Sequence, residues 1–316
     1  MISINAETVN KALTFPKLIN ALQVAFTENI QVPPRLHFDI ENSNASRETT
    51  LLMMPAWQAG DVAGIKLVTV APENSQKNLP SIQGTYLLLD VDTGSMKAMM
   101  DAPALTAKRT AAASALASRY LSRENSETLL IVGTGTLAPQ LIAAHASVRP
   151  IKQVYVWGRN HESAQKVCQQ VAHLNIACEA VEDLECYVKK ADIISCATLS
   201  TESLIFGQWL KEGQHLDMVG AYRPDMREMD DDCLTRAVIF VDNMESAMRE
   251  TGDLAIPLAE KIIEISDINA DLFALCGNTF TFKRKDRDIT VFKSVGHALE
   301  DLAAAKLVVE FVDNNM

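Results

Sequence analysis

The stretch Leu129-Leu130-Ile131-Val132-Gly133-Thr134-Gly135-Thr136-Leu137-Ala138 is a run of four aliphatic residues that breaks on two spaced glycines and then resumes in a helix-forming pattern. Four consecutive aliphatic residues without polar alternation mark a strand buried on both faces. The break that follows has the G-x-G-x-x-A form of the dinucleotide fingerprint. Gly133 permits a tight turn, Gly135 lets the backbone approach a pyrophosphate, and Ala138 allows the next helix to pack closely on the strand. Thr134, Thr136 and Leu137 complete the loop, whose free N–H groups and positive helix end would receive phosphates. A glycine turn that binds nothing is the alternative, but the strand before it and the helix after it supply the context the fingerprint needs. The stretch therefore predicts a Rossmann domain holding a nicotinamide dinucleotide.

The rest of that domain can be read outward from the loop. The next strand, Val154 to Trp157, ends in Trp157-Gly158-Arg159-Asn160. An NAD site places Asp or Glu there to bind the ribose hydroxyls, and none is present. Arg159 can pair with a 2′-phosphate instead, which favours NADPH over NADH; read alone, it is also compatible with an ordinary surface arginine. Further buried strands at Ile193 to Ala197, His215 to Val219 and Val238 to Val241 alternate with helices, the pattern of a parallel sheet with helices on both faces. Ligands collect at the carboxyl ends of such strands, so Thr198, Gly220 and Ala221 are candidate nicotinamide-side contacts.

The first third reads differently, as an α+β unit. A helix is expected over Pro16 to Asn29, strands over Glu48 to Pro55, Val62 to Val70 and Gly84 to Asp90, and a hairpin through Asp92-Thr93-Gly94 into Ser95 to Asp101. An alanine- and serine-dense helix, Ala104 to Tyr120, follows, with a boundary expected at Ser122 to Ser126. A last strand, Thr290 to Lys293, leads into a helix from about Ser294 to Val312 whose apolar face could return to the first domain. The expected division is 1–121 with 293–316, and 122–292. At 316 residues the chain exceeds what one hydrophobic core usually supports, about 250 to 300 residues.

Composition excludes several classes. A formal charge of -11 argues against nucleic acid and anionic membrane surfaces, both of which attract basic patches. No run approaches the ~20 apolar residues that span a bilayer, and the N-terminus lacks a secretory pattern, so a cytoplasmic location is expected. Cys168, Cys178, Cys186, Cys196, Cys233 and Cys276 contain no C-x-x-C pair and read as buried reduced thiols. The histidines form no H-E-x-x-H pattern, so no metal is expected.

Three basic residues of the N-terminal unit occupy settings that charge usually avoids. Arg35 follows Val32-Pro33-Pro34, Lys66 lies inside Gly64-Ile65-Lys66-Leu67-Val68-Thr69, and Arg109 sits in the early turns of the alanine-rich helix. An inward-facing lysine on a strand needs a partner or a ligand, and a cation near a helix N-terminus needs a carboxylate to offset the dipole. Each invites an anion; each taken singly is also compatible with a snorkelling or ion-paired residue.

The order of motifs adds a resemblance. P-P-R at Pro33 to Arg35, G-I-K-L-V-T at Gly64 to Thr69, L-T-A-K-R-T-A-A-A-S-A-L-A at Leu105 to Ala117, the glycine loop, V-G-A-Y-R-P-D-M-R-E at Val219 to Glu228, E-T-G-D at Glu250 to Asp253 and V-F-K-S-V-G at Val291 to Gly296 together resemble the ornithine cyclodeaminase/mu-crystallin family. The likeness runs nearly end to end. It implies a homodimer with the N-terminal sheet packing across the dimer, and a small amino or imino acid substrate. It also implies that Arg35, Lys66 and Arg109 bind the substrate carboxylate, with Lys66 a candidate proton donor. Val219 and Ser294, which fall in these motifs, join the expected cofactor contacts.

One departure within the resemblance is informative. Ornithine cyclodeaminases carry G-G-D-C-P-G-K, whose aspartate serves the substrate's distal amine; this chain has Gly220-Ala221-Tyr222-Arg223-Pro224-Asp225-Met226, with Tyr222 at the aspartate's place. The form looks more like mu-crystallin and the bacterial ketimine reductases. The resemblance thus implies NADPH- or NADH-dependent reduction of 1-pyrroline-2-carboxylate to proline, with the six-membered homologue going to pipecolate. A protonated imine is the better hydride acceptor, so Lys66 or a water it holds would supply that proton. An alanine-dehydrogenase-like activity, a cyclodeaminating lyase and a non-catalytic binding protein are the rival readings.

Overall fold

The hydrophobic period changes along the chain, and the secondary structure changes with it. The computed structural model describes residues 1–43, 48–77 and 79–315. It divides into two units, one made of Met1–Thr110 with His297–Met316 and the other of Ala111–Gly296.

The first unit opens with β1 (Ile2–Ile4), α1 (Ala6–Ala12) and α2 (Phe15–Ala25). The Asn5 side chain caps α1 by accepting the Thr8 N–H at 3.0 Å, and Pro16 occupies the first turn of α2, where a missing N–H costs nothing. The helix expected to reach Asn29 ends at Ala25, because Thr27 and Glu28 donate back to Val24 and Ala25 in a turn. Next come β2 (Ile30–Gln31), β3 (Leu36–Ile40), β4 (Thr49–Gln58), β5 (Val62–Val70), β6 (Ile82–Asp90) and β7 (Met96–Asp101), followed by α3 (Ala102–Leu121), within which the two units part. Among the described residues they form a seven-stranded sheet ordered β1-β7-β6-β5-β4-β2, with β3 on β4. The expected β6–β7 hairpin is present. Its turn is fixed by the Asp90 carboxylate, which accepts both N–H and hydroxyl of Thr93, and by Gly94 at φ 67°.

The second unit alternates β8 (Thr128–Val132), α4 (Leu137–Ala146), β9 (Gln153–Trp157), α5 (His161–Gln170), β10 (Ala177–Val181), α6 (Leu184–Val188), β11 (Ile193–Cys196) and β12 (His215–Met218). After these come α7 (Asp231–Thr235), β13 (Val238–Val241), α8 (Met244–Glu250), α9 (Gly252–Ala259), β14 (Ile268–Asp271), α10 (Leu272–Cys276) and β15 (Thr290–Lys293). Among the described residues the sheet has eight strands, all parallel, ordered β10-β9-β8-β11-β12-β15-β13-β14. Residues Leu129 to Val132 are fully buried, as the aliphatic run requires. The chain leaves β8 for β9 on one side and reaches β11 on the other, so the order reverses at β8, where a crevice opens at the carboxyl ends of the strands. This is the doubly wound Rossmann architecture.

The last helix, α11 (Ala298–Asp313), belongs to the first unit, where it packs on α2 and on β4, β5 and β6. It starts at Ala298 rather than Ser294. Residues 294–296 are instead held as a loop, in which Val295 and Gly296 donate their N–H groups to Asp242 at 2.8 and 2.7 Å. The six cysteines are free, but burial holds only for Cys196, Cys233 and Cys276; Cys168, Cys178 and Cys186 are partly exposed, because α5, β10 and α6 lie at the edge of the sheet.

Candidate functional site

At the switch point a cleft of about 340 Å³ is lined by Gly133, Thr134, Gly135, Trp157, Gly158, Arg159, Asn160, Ala197, Thr198, Leu199, Ser200 and Leu204. The glycine loop is built by contacts that no larger residue would allow. Gly133 has φ 120° and donates its N–H to the Trp157 carbonyl at 2.9 Å, and a β-carbon there would lie 2.5 Å from the Ala197 carbonyl oxygen. A β-carbon on Gly158 would strike the Thr134 side chain at 2.5 Å. Gly135 differs: nothing lies within 4 Å of its missing β-carbon, which faces open space. A side chain at Gly135 would fill that space, so the cradle fits a pyrophosphate approaching the backbone at the start of α4. Ala138, the second residue of that helix, is buried. The residues present therefore fit a dinucleotide.

Not every expected contact lies on the cleft. Thr136, Leu137 and Ala138 cap and start α4 without lining it, and Val219, Gly220, Ala221 and Ser294 are buried and do not line it either. Val219 donates to the Cys196 carbonyl at 2.8 Å and Ser294 to the Met218 carbonyl at 3.1 Å, so these residues hold the strand ends together. Trp157 and Asn160 also have structural duties: the indole N–H reaches the Glu182 carbonyl at 2.9 Å, and Asn160 caps α5 through the Ser163 N–H. Arg159 stands exposed at the rim. Leu199, Ser200 and Leu204, in the loop after β11, were not expected from sequence.

Behind Thr198 sits a carboxylate that sequence reading passed over. Glu228 is fully buried and accepts four hydrogen bonds: from the Thr198 N–H (2.6 Å) and hydroxyl (2.8 Å) on one oxygen, and from the Gly220 (2.6 Å) and Ala221 (3.1 Å) N–H groups on the other. Burial nevertheless raises its pKa, with Asp253 adding to the effect and Lys293 opposing it. Lys293, also buried, pairs with Asp253 at 3.3 Å.

The first unit holds the second group of charges. Lys66 on β5 is buried, and its ammonium lies 2.7 Å from Asp301 Oδ2. Arg109, two turns into α3 rather than at its start, donates through Nε to Asp301 Oδ1 at 3.0 Å and through Nη1 to Glu300 at 2.7 Å. Asp301 thus bridges the lysine and the arginine. Arg35 acts electrostatically on both Lys66 and His297, so the three basic residues singled out from sequence share one neighbourhood. Tyr86, directly opposite Lys66 on β6, is buried with its hydroxyl over Gly64, where a β-carbon would lie 2.0 Å from that oxygen.

Electrostatics sort these groups. Burial, helped by Arg109, lowers the Lys66 ammonium to about 8 against the opposing pull of Asp301. Burial also works against charge on Arg109, but Asp301 and Glu300 outweigh it and hold the guanidinium protonated. For Asp301 burial disfavours the anion, and Arg109 and Lys66 more than reverse this. Burial brings His297 down to about 4, so it is neutral near pH 7. Such a site can bind an anion and hold a proton on Lys66 that is available near neutral pH. The carboxylates Glu300 and Asp301 were missed because acids in the first turn of a helix read as dipole partners; their setting in an alanine-rich apolar helix was the available signal.

The sequence profile of the ornithine cyclodeaminase/mu-crystallin family matches residues 1–315. A Δ1-pyrroline-2-carboxylate reductase of Colwellia psychrerythraea is 38% identical over 313 residues, covering 97% of this chain and 98% of its own. The structure of the Thermococcus litoralis Δ1-pyrroline-2-carboxylate reductase in complex with NADH and L-proline superposes with a TM-score of 0.93 at 32% identity, covering 100% of this chain and 98% of that one. An archaeal alanine dehydrogenase dimer with bound NAD superposes with a TM-score of 0.91 at 28% identity, covering 100% and 97%.

Proposed function

The chain belongs to the ornithine cyclodeaminase/mu-crystallin family, and we propose that it is a ketimine reductase that converts 1-pyrroline-2-carboxylate to L-proline and 1-piperideine-2-carboxylate to L-pipecolate. The observation that carries this reading is the buried Lys66, held by Asp301 beside Arg109, with a proton affinity brought near neutrality. A cyclic imine acid asks for a cationic cradle for its carboxylate and a proton for its ring nitrogen, and this cluster offers both.

Two donors of Arg109 are taken by Glu300 and Asp301, leaving Nη2 for a substrate carboxylate, with Arg35 as the second cationic contact. The fixed orientation removes the entropy that a free encounter would lose. Lys66 supplies or retains the proton on the imine nitrogen, which makes the C=N carbon more electrophilic. When bound, the reduced nicotinamide supplies the hydride, and Gly133, Thr134, Gly135, Gly158, Arg159 and Thr198 would hold the dinucleotide. NADPH is preferred over NADH on this reading, since the β9 loop offers Arg159 and no carboxylate to the ribose. The active form is a homodimer.

Turnover of 1-pyrroline-2-carboxylate with NADPH and with NADH, followed at the reduced nicotinamide absorbance, tests the proposal. Consumption matched by proline formation is expected; no consumption with either cofactor overturns it. The likeness to alanine dehydrogenase supports a second reading, in which ammonia and pyruvate replace the ring imine. Faster turnover on that pair than on the cyclic imine would favour it. Tyr222 in place of an acid argues against a cyclodeaminase, which would form proline from ornithine without net use of reduced cofactor.

A further inference from the structure

Two cysteines at the edge of the Rossmann sheet meet in a way that hydride transfer does not require. Cys168 is near the end of α5 and Cys178 is the second residue of β10. The chain between them reverses through a short 3-10 turn, Ala172–Leu174, closed by Asn175 in the left-handed conformation at φ 56°. That reversal lays α5 back along β10 and brings the two sulfurs to 2.8 Å, with the Cys178 thiol donating to Cys168. Both residues are partly exposed. Two sulfurs this close lie inside normal non-bonded separation, and only a small further approach separates them from the ~2.05 Å of a disulfide.

We propose that Cys168 and Cys178 form a reversible thiol–disulfide site, oxidised by small-molecule disulfides of the glutathione class. The Cys168 thiolate attacks one sulfur of the oxidant and expels the other as a thiolate, leaving a mixed disulfide on Cys168. Cys178 then gives up its proton, attacks the Cys168 sulfur and releases the second small thiol. Two protein thiols and one small disulfide become one protein disulfide and two small thiols, so atoms and electrons balance. Their roles follow from the hydrogen bond, whose donation by Cys178 lowers the pKa of Cys168, with burial and Glu179 opposing it. The same bond, with burial, raises Cys178 until Cys168 has lost its negative charge. Cys168 is therefore the attacking sulfur and Cys178 the resolving one. The resulting bridge pins α5, the helix that begins at the Asn160 rim of the dinucleotide cleft, to the edge strand β10.

Mass spectrometry on the intact native protein tests this independently of any activity. The protein is equilibrated in mixtures of reduced and oxidised glutathione, quenched in acid, alkylated and digested. A Cys168–Cys178 cross-linked peptide, lighter by two hydrogen atoms, should grow as the mixture becomes oxidising, while the similarly part-exposed Cys186 stays alkylated or carries glutathione singly. In Cys178→Ser the cross-link should vanish and a persistent glutathione adduct should accumulate on Cys168. If Cys168 and Cys178 remain separately alkylated at every ratio, or if the wild type stops at the same single adduct as Cys178→Ser, the proposal is overturned.

Discussion

Lys66 shows how far one residue's setting can be read and where the reading needs the fold. A lysine between Ile65 and Leu67 on a strand announces an inward charge, yet only the structure supplies the partner, Asp301, 235 positions on in sequence and 2.7 Å away. With its pKa brought to about 8, chiefly by burial, Lys66 loses its proton as pH rises through that value. If it is the proton donor, kcat/KM for the cyclic imine falls tenfold per pH unit above about 8. Asp301 is among the influences that raise this pKa, so Asp301→Asn should move the falling limb to lower pH relative to wild type. An unmoved limb in the variant, with activity retained, would remove Lys66 from that role. Arg159 stands out in the sequence for a different reason, as a cation just after β9 where an NAD site places a carboxylate. A charge-assisted contact to a 2′-phosphate contributes about 1.5–3 kcal/mol, so Arg159→Ala should raise the KM for NADPH by roughly ten- to a hundredfold and leave that for NADH nearly unchanged. Equal changes for both cofactors would show that Arg159 does not discriminate between them.

Elements differ in how plainly the sequence announces them. The central strands β8, β11, β12 and β13 are largely buried, β8 from Leu129 on and β13 with uninterrupted apolar side chains and β11 and β12 with polar residues among them, and their expected positions agree with the structure to within a residue or so at each end. Strands β10 and β14 went unread because edge strands such as Ala177–Val181, partly exposed and interrupted by Glu179, carry little hydrophobic signal. The link between elements was less legible still. Glu228, which follows β12 by ten residues, fastens the loops after β11 and β12 by accepting from Thr198, Gly220 and Ala221. In sequence it is one acid among several in Asp225 to Asp232. Replacing it with glutamine sets an amide NH2 against N–H donors on one side, at a cost of about 1–3 kcal/mol. Glu228→Gln should therefore lower the urea midpoint and weaken dinucleotide binding, followed by quenching of Trp157 fluorescence. Because Lys66 and Arg109 make none of these bonds, the pH limb of the residual activity should stay in place. Unchanged dinucleotide affinity would confine Glu228 to a structural role.

At the scale of the whole molecule, the two-unit plan was legible from the change of period between the first third and the middle, whereas a homodimer is implied by the resemblance alone and is a matter for test. The sequence Leu36-His37-Phe38-Asp39-Ile40 alternates with the period of a strand that covers one face, and it became visible as β3 only on the sheet. All five residues are exposed in the single chain, and Leu36, Phe38 and Ile40, at 47%, 48% and 48% exposure, share one face. A contiguous apolar strand face of this kind marks an interaction surface, and a second copy of the chain, brought by a two-fold axis, would cover it with the same residues. Burying Phe38 contributes about 1.5–3 kcal/mol per copy, and symmetry doubles it. Phe38→Lys removes that burial twice and places two like charges in the contact, so the substitution should shift the protein from dimer to monomer at micromolar concentration. Light scattering coupled to size exclusion reads this directly, and circular dichroism checks that each unit stays folded, since Phe38 packs outside the core. A wild type that is monomeric at the same concentration, or a Phe38→Lys protein that remains fully dimeric, would remove this face from the assembly.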